Sequence, residues 1–325
     1  MSNNERLVQL LASSHDFISG EKISEELGIS RTAVWKQIKK LEALGYELEA
    51  VTKQGYRLLY TPQPIDAAKV EKGLKGHRFG HTIHYHKAVA STQPLAKELA
   101  EQGAAEGTVV LAEQQLQGKG RLGRIWHSPY GKGVWMSIVL RPATPIQLAP
   151  QLTLLTAVAL AEAIRSITEL NVGIKWPNDI LHKGKKLCGI LLESAAEEQR
   201  LKYVIAGIGI DVNLGENDYE NELRNKATSL RIEKGAPVDR EQLIEAFMMK
   251  WERLSDLYDQ QGFEPIAQLW ESYTISLGQR TLITTAQEQF YAVPLKLTER
   301  GSIVVKLDDG EEREIFSAEM GEVKQ

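Results

Sequence analysis

The chain has 325 residues, a length suited to two or three domains, with a formal net charge of −4 and 42% hydrophobic residues. That balance excludes a surface built to bind nucleic acid over its whole extent, so any such contact must be local. A single cysteine, Cys188, excludes an intramolecular disulfide. No signal-type apolar core is evident in MSNNERLVQLLASS, and no apolar run approaches the ~20 residues of a membrane span, so a cytoplasmic protein is expected.

The first expected domain is residues 1–62. ERLVQLLASS is amphipathic, and SGEKISEELGIS places Ile23 and Leu27 four apart with Gly28 as a stop. Ser30 is a suitable N-cap for RTAVWKQIKKLEALG. On that third helix Val34, Ile38 and Leu41 share one face, with Thr32, Lys36 and Lys39 opposite and Lys40 nearby. From 31 to 40 there are four cations and no acid, although residues 1–60 balance at eight basic and eight acidic side chains. The positive charge is therefore concentrated on this helix and on Lys53 and Arg57. YELEAVTKQGYRLL then reads as two strands about a Gln-Gly turn. The pattern resembles a winged helix-turn-helix, whose second motif helix enters the major groove while the wing meets the backbone. Its expected DNA contacts are Arg31, Thr32, Lys36, Lys39 and Lys40 on the helix, and Lys53 and Arg57 on the wing. A solvated charged helix of a small interaction domain is the alternative.

Two prolines and weak periodicity place a linker at 63–76. Residues 77–272 then alternate strand and helix patterns. They run TIHYHKA, a helix in STQPLAKELAEQG, GTVVLAE, GVWMSIVLR, a helix across 150–168, VGIKW, KKLCGILLE, YVIAGIGIDVN and a second helical stretch at 239–259. This is an α/β (α+β) catalytic core, and its short connections predict a mixed sheet. From 273 to 325 the runs RTLITT, FYAVPLKLT, GSIVVKLD and REIFSA, with turns at Arg300-Gly301 and Asp309-Gly310, predict a small antiparallel barrel.

The most informative stretch is GKGRLGR at 118–124, followed by WHSP. Three glycines interleaved with Lys119, Arg121 and Arg124 can bring backbone NH groups and cations onto an anionic ligand. A dinucleotide-binding GxGxxG requires a helix after the turn and an acid about 20 residues on. Here Pro129 breaks any young helix, and IVLRPATP holds no acid. No Gly-Lys-Ser or Gly-Lys-Thr occurs, which excludes a Walker A loop. A loop closing over a phosphate-bearing ligand remains, beside the plainer reading of a solvated basic hairpin.

In YVIAGIGIDVN, alternation sets Val204, Ala206, Ile208, Ile210 and Val212 on one face and Tyr203, Ile205, Gly207, Gly209 and Asp211 on the other. Two glycines spaced by two clear a patch where a flat ligand, or equally a packed helix, can approach the backbone. KWPND at 175–179 sets Lys175 and Asp179 about a proline-stiffened turn, with Asn178 and Asp179 as oxygen donors for a Mg²⁺–phosphate unit or an Asx turn. Lys185 and Lys186 stand close enough to deliver an ammonium to the same place. His77, His81, His84 and His86 lack a cysteine or acid beside them, and no protein-held metal site is expected.

These segments, in order, resemble the biotin–protein ligases: SerThrGln at 91–93, Gln115 before GKGRLGRIWHSP, KWPND, KLCGILLE at 186–193, GIGIDVN at 207–213 and ATSL at 227–230. The match covers essentially the whole chain. With the N-terminal winged helix and a C-terminal SH3-like barrel, it takes the form that doubles as the biotin operon repressor.

The resemblance implies two steps: biotin and ATP form biotinyl-5′-AMP, and the biotinyl group then passes to a lysine of a biotin carboxyl carrier protein. Ser91, Thr92, Gln93 and Gln115 would hold the biotin ureido ring, close against Gly207 and Gly209. Gly118, Lys119, Gly120 and Arg121 of the loop, with Gly189, complete the implied biotin site. Lys186 would meet the biotin carboxylate and, with Arg121, stabilise the charge that develops as it attacks the α-phosphate. Arg121, Arg124, Trp126, Asn178, Asp179, Asn213 and Ala227 would line the nucleotide side, with Trp126 stacking on adenine. Magnesium would be carried with ATP near Asp179, which is also the expected acceptor of the proton from the carrier lysine.

Two positions depart from the family pattern. Lys119 replaces the first arginine of the usual GRGR, keeping the charge but losing the planar fork, and Asp211 stands where asparagine is commoner. The resemblance further implies a homodimer when the adenylate orders the loop, two basic helices on a palindromic operator, and no membrane partner. A pure ligand sensor and a lipoate-type ligase are the alternatives.

Overall fold

The computed structural model describes residues 2–14, 16–198 and 200–323. The contacts divide into one unit of residues 1–65 with 129–132 and a second of residues 66–128 with 133–325.

In the first unit, α1 (Asn3–Ala12) begins at a capping box in which Ser2 and Glu5 bond each other's backbone NH groups. α2 (Gly20–Leu27) ends on Gly28 at φ +66°, a left-handed cap suited to glycine. Ser30 accepts from the Ala33 amide and starts α3 (Arg31–Ala43), as its sequence position predicts. Leu7, Leu11, Ile23, Leu27, Val34, Ile38 and Leu41 meet in one buried cluster, so each helix hides one stripe. β1 (Glu47–Val51) and β2 (Gly55–Tyr60) pair antiparallel from Val51↔Gly55 outward and form the wing.

The second unit begins with a correction. Residues 63–76 are not an unstructured linker: Asp66 accepts from the Lys69 amide and caps α4 (Ala67–Gly73), whose Val70 is fully buried. Lys69 pairs with Glu241, fastening this helix to the body of the unit. The prolines that suggested a connector stop short of the helix.

The core follows as β3 (Ile83–His86), α5 (Thr92–Glu101), β4 (Val109–Ala112), β5 (Val134–Leu140), α6 (Ala149–Thr168), β6 (Gly173–Lys175), β7 (Asp179–His182), β8 (Lys185–Glu197), β9 (Arg200–Ile210), α7 (Leu230–Lys234), α8 (Arg240–Gln261) and α9 (Glu264–Tyr273). The seven strands lie in the order β3-β4-β5-β9-β8-β7-β6. Only β3 and β4 pair in parallel, so the sheet is mixed, as expected. α6 is long and apolar enough by composition to cross a membrane, against the sequence expectation of no such run. Most of it is buried in the core, which accounts for its apolarity.

The C-terminal segment forms a five-stranded antiparallel sheet of β10 (Thr281–Thr284), β11 (Gln289–Leu297), β12 (Ile303–Leu307), β13 (Glu312–Ile315) and β14 (Glu319–Val323), ordered β13-β12-β11-β10-β14. It belongs to the same unit as the core.

One buried ion pair controls the connection between β4 and β5. Arg240 Nη1 donates to Glu113 Oε2 at 2.9 Å and to the Gly133 carbonyl at 2.9 Å. Glu113 is fully buried and also accepts from the Tyr85 hydroxyl at 3.1 Å. Glu113→Ala removes a buried carboxylate from beside the guanidinium, and is expected to lower the stability of the second unit by about 3–5 kcal/mol in denaturant unfolding.

Candidate active site and basic helix face

Between Glu113 and Gly133 the chain leaves the sheet and returns, and this excursion carries the basic loop. Its base is a narrow hairpin in which Trp126 N donates to Gly118 O at 2.8 Å and Gly120 N to Arg124 O at 2.8 Å. The loop, the ends of β6–β9, the start of α5 and the start of β14 enclose a cavity of about 390 Å³.

At one end the lining is neutral and hydrogen-bonded. Ser91 caps α5, setting Thr92 and Gln93 in its first turn. Gln93 Nε2 donates to the Leu191 and Ile205 carbonyls, both at 3.2 Å, and its Oε1 accepts from Ser137 at 2.8 Å. Ser137 also meets Thr92 Oγ1 at 2.7 Å. Gln115 Oε1 accepts from the Thr92 amide at 2.9 Å, and its Nε2 donates to Ser128 at 3.1 Å. Four expected residues therefore form one network, with Ser137 at its centre. Sequence reasoning missed Ser137, although its signal was present as the single polar side chain in the apolar run of β5.

Gly207 and Gly209 face the cavity as the strand alternation predicts. A Cβ on Gly207 would stand 2.4 Å from Gln93 Oε1, and one on Gly209 would stand 2.4 Å from Trp126 Nε1. Any side chain at either position collides with the wall, so these glycines are fixed by close approach. The Trp126 indole also lies over Gly189, with the Lys186 ammonium 5.1 Å from its ring centre. Trp126 Nε1 is buried and finds no hydrogen-bond partner among the described residues.

The other end is charged. β6 and β7 make a hairpin across KWPND with Lys175 opposite Asp179, and β8 sets Lys186 beside them. Lys186 Nζ lies 2.7 Å from Asp179 Oδ1, although that oxygen is not aligned for a hydrogen bond. Arg121 Nη1 donates to Asn178 Oδ1 at 3.0 Å, and its Nη2 donates to Ser317 at 3.0 Å. Arg124 pairs with Glu319. The basic loop is thus held by the C-terminal sheet, through residues too distant in sequence for any local motif to reveal. Burial lowers the Arg121 guanidinium from its ordinary pKa, while Asp179 and Glu319 act to raise it.

Asp211 and Tyr219 also face this cavity. Asp211 is 5% exposed and accepts from the Tyr219 hydroxyl at 3.0 Å through Oδ2, while Oδ1 is buried with no hydrogen-bond partner among the described residues. Burial pushes the Asp211 carboxyl up to about 8, overcoming the opposing influence of the Tyr219 hydrogen bond and the Lys186 charge. Burial, and then the neighbouring carboxylate, raise the Tyr219 phenol as well.

Ser91, Thr92, Gln93, Gln115, Lys119, Gly120, Arg121, Arg124, Trp126, Asn178, Asp179, Lys186, Gly189, Gly207, Gly209 and Ala227 all line the cavity. Two expected residues do not. The Asn213 side chain is buried and bonded at both ends to the Val238 backbone, at 2.8 and 2.9 Å, so it ties the end of β9 to the segment before α8. Gly118 is packed behind the loop, where a Cβ would stand 2.5 Å from the Trp126 carbonyl. Among the described residues no group of three His, Cys, Asp or Glu side chains could hold a metal.

In the first unit Arg31, Thr32, Lys36, Lys39 and Lys40 are exposed on α3. Arg31 pairs with Glu21 at 3.0 Å and Lys39 with Glu42 at 2.6 Å. Lys53 is exposed in the wing turn. Arg57 is less available than the sequence suggests, since it pairs with Glu49 at 2.5 Å and stacks 4.7 Å over the Phe17 ring.

Comparison with known proteins agrees with both halves. Residues 85–211 match the biotin/lipoate A/B protein ligase family and residues 3–57 match a helix-turn-helix domain. The chain is 44% identical over 315 residues to the bifunctional ligase/repressor BirA of Bacillus subtilis, covering 97% of both chains. It is 28% identical to BirA of Escherichia coli, covering 93% of this chain and 92% of that one. Among solved structures, the biotin protein ligase of Aquifex aeolicus in complex with biotin and ATP aligns with a TM-score of 0.63 at 29% identity, over 74% of this chain and 97% of that one.

The buried Asp211 makes stability depend on pH. The unfolded chain releases this proton near 3.9, and the folded chain holds it to about 8, so stability falls as pH rises between those values and levels off above. Asp211→Asn is expected to gain on the order of a few kcal/mol over the parent between pH 5 and pH 8. Denaturant unfolding of both chains at the two pH values would check this, and parallel curves would show Asp211 to be ionised.

Proposed function

The chain belongs to the biotin–protein ligases in their bifunctional ligase/repressor form, and on that premise we propose how its residues divide the work. It activates biotin with ATP, attaches it to a carrier protein and represses transcription through its helix-turn-helix. The observation that carries the residue assignment is a single cavity with a neutral hydrogen-bonding end and a cationic end, joined across the glycine patch.

Biotin's ureido ring binds at the network of Thr92, Gln93, Gln115 and Ser137, where donors and acceptors are already fixed in place. Its carboxylate reaches toward Lys186, and the nucleotide lies along Arg121, Arg124, Asn178 and Ala227. A carboxylate oxygen attacks the α-phosphorus, the bond to pyrophosphate breaks, and biotinyl-5′-AMP remains. Lys186 and Arg121 stabilise the negative charge that accumulates on the phosphoryl oxygens. Magnesium carried with ATP would lie near Asp179 and would supply further charge neutralisation. In the second step the carrier lysine attacks the acyl carbon, AMP departs, and Asp179 accepts the amine proton.

Lys119 and the loop close over the adenylate. Leu122 and Ile125, 79% and 89% exposed, give the ordered loop an apolar surface for a second copy of the chain. Ligand binding and dimerisation are then linked, and a two-fold dimer presents two α3 helices to a palindromic operator. A cytoplasmic location is consistent with ATP, a carrier protein and DNA as partners.

Incubation with biotin, magnesium and α-labelled ATP should give biotinyl-AMP, whereas lipoate in its place should give none. Asp179→Asn should slow transfer to the carrier by about 10²-fold or more at saturating adenylate, and full transfer by this variant would remove Asp179 as the base. For DNA, Lys36→Ala should weaken binding and reduce the salt slope by about 1 while adenylate formation is unchanged. A matching loss of both activities would count against separable roles.

A further inference from the structure

The most unusual residue on the exposed side of α3 is neither charged nor polar. Val34, Ile38 and Leu41 are buried, which leaves Arg31, Thr32, Trp35, Lys36, Lys39 and Lys40 on the outer surface. Trp35 stands at the centre of this group, one turn after Arg31 and one turn before Lys39, and is 53% exposed. Among the described residues no cation stacks on its ring and no other ring packs against it.

A lone exposed apolar side chain is ordinary, but its setting here is informative. Four cations share this face with the indole, and a polyanion would satisfy them together, above all Lys36 and Lys40. Arg31 and Lys39 are already drawn aside by Glu21 and Glu42, which leaves the indole uncovered between them. Lys36 and Lys40 form no ion pair among the described residues and are suited to phosphates. Phosphate contacts position a protein on DNA without reading sequence. Within the face, Thr32 and Trp35 are the uncharged side chains, and Trp35 is the one that offers a broad apolar surface. The apolar feature it can meet in the major groove is the C5-methyl of thymine.

We propose that Trp35 is a sequence-reading residue of α3, packing its indole on a thymine methyl in the major groove of duplex DNA. This rests on the reading of α3 as the groove-entering helix. Lys36 and Lys40 then supply affinity, and Trp35 supplies discrimination at one base pair.

The test uses the full chain with biotin and magnesium-ATP. A duplex is selected by the parent protein from a randomised pool and compared with a scrambled duplex of equal composition. Trp35→Ala should bind the selected duplex about tenfold more weakly, keep its affinity for the scrambled duplex within about twofold, and leave the salt slope unchanged. Trp35→Phe should recover part of the loss, and biotinyl-AMP formation by both variants should match the parent. The parent is also measured on selected duplexes in which each thymine in turn is replaced by deoxyuridine, which removes the methyl alone. One position should cost the parent several-fold and cost Trp35→Ala nothing more, the non-additivity expected of a direct contact. Equal losses on selected and scrambled DNA, additive effects of the two changes, or no sensitive thymine would overturn the assignment of Trp35. A parent chain that discriminates no duplex would overturn the groove-entering reading with it.

Discussion

The arrangement of the second unit depends on Arg240. Its guanidinium is buried against Glu113 and the Gly133 carbonyl, at the two points where the basic excursion leaves β4 and rejoins β5. A loop with three glycines and three cations has little intrinsic reason to hold a shape, because flexibility and like-charge repulsion both favour spreading. Fixing its two ends converts it into a wall. A charge at the first turn of α8 thus braces the point where the excursion leaves β4 and rejoins its neighbour β5.

Within that wall, two kinds of polar chemistry are kept apart. The Gln93, Ser137, Thr92 and Gln115 network is neutral and close to fully satisfied, so it can recognise a neutral hydrogen-bonding ring with little rearrangement. Lys186 is instead paired with Asp179, Arg121 bonded to Asn178 and Arg124 paired with Glu319, contacts that a phosphate can replace. Between them the glycines of β8 and β9 and the Trp126 ring form an apolar floor. A ligand that joins a ureido ring to an acyl phosphate matches this order of surfaces from one end to the other.

Much of this could be read in the chain beforehand, for identifiable reasons. The faces of α3, the glycine cap at Gly28 and the alternation along β9 follow local periodicities that tertiary contacts do not override. The basic loop and KWPND are contiguous, so their chemistry travels with the sequence. What escaped was set by distance. Glu319 and Ser317 reach the loop from about 200 residues away, and no local pattern announces them. The family resemblance puts Asn213 on the nucleotide side, but β9 ends at Ile210 and the Asn213 side chain turns to the Val238 backbone instead. The stretch 63–76 looked like a linker because its prolines precede the helix, whose stability comes largely from burying Val70 and pairing Lys69.

The tether between Arg124 and Glu319 has a consequence for the order of synthesis. The loop, the glycine floor and the Lys186–Asp179 pair emerge from the ribosome well before β14, which carries Glu319 and closes the C-terminal sheet beside β10. During translation the cavity can therefore assemble its floor and its charges, with Arg121 on Asn178, before Arg124 gains its tether. The tether is thus the last restraint to be added, joining a wall whose other contacts come from residues made earlier.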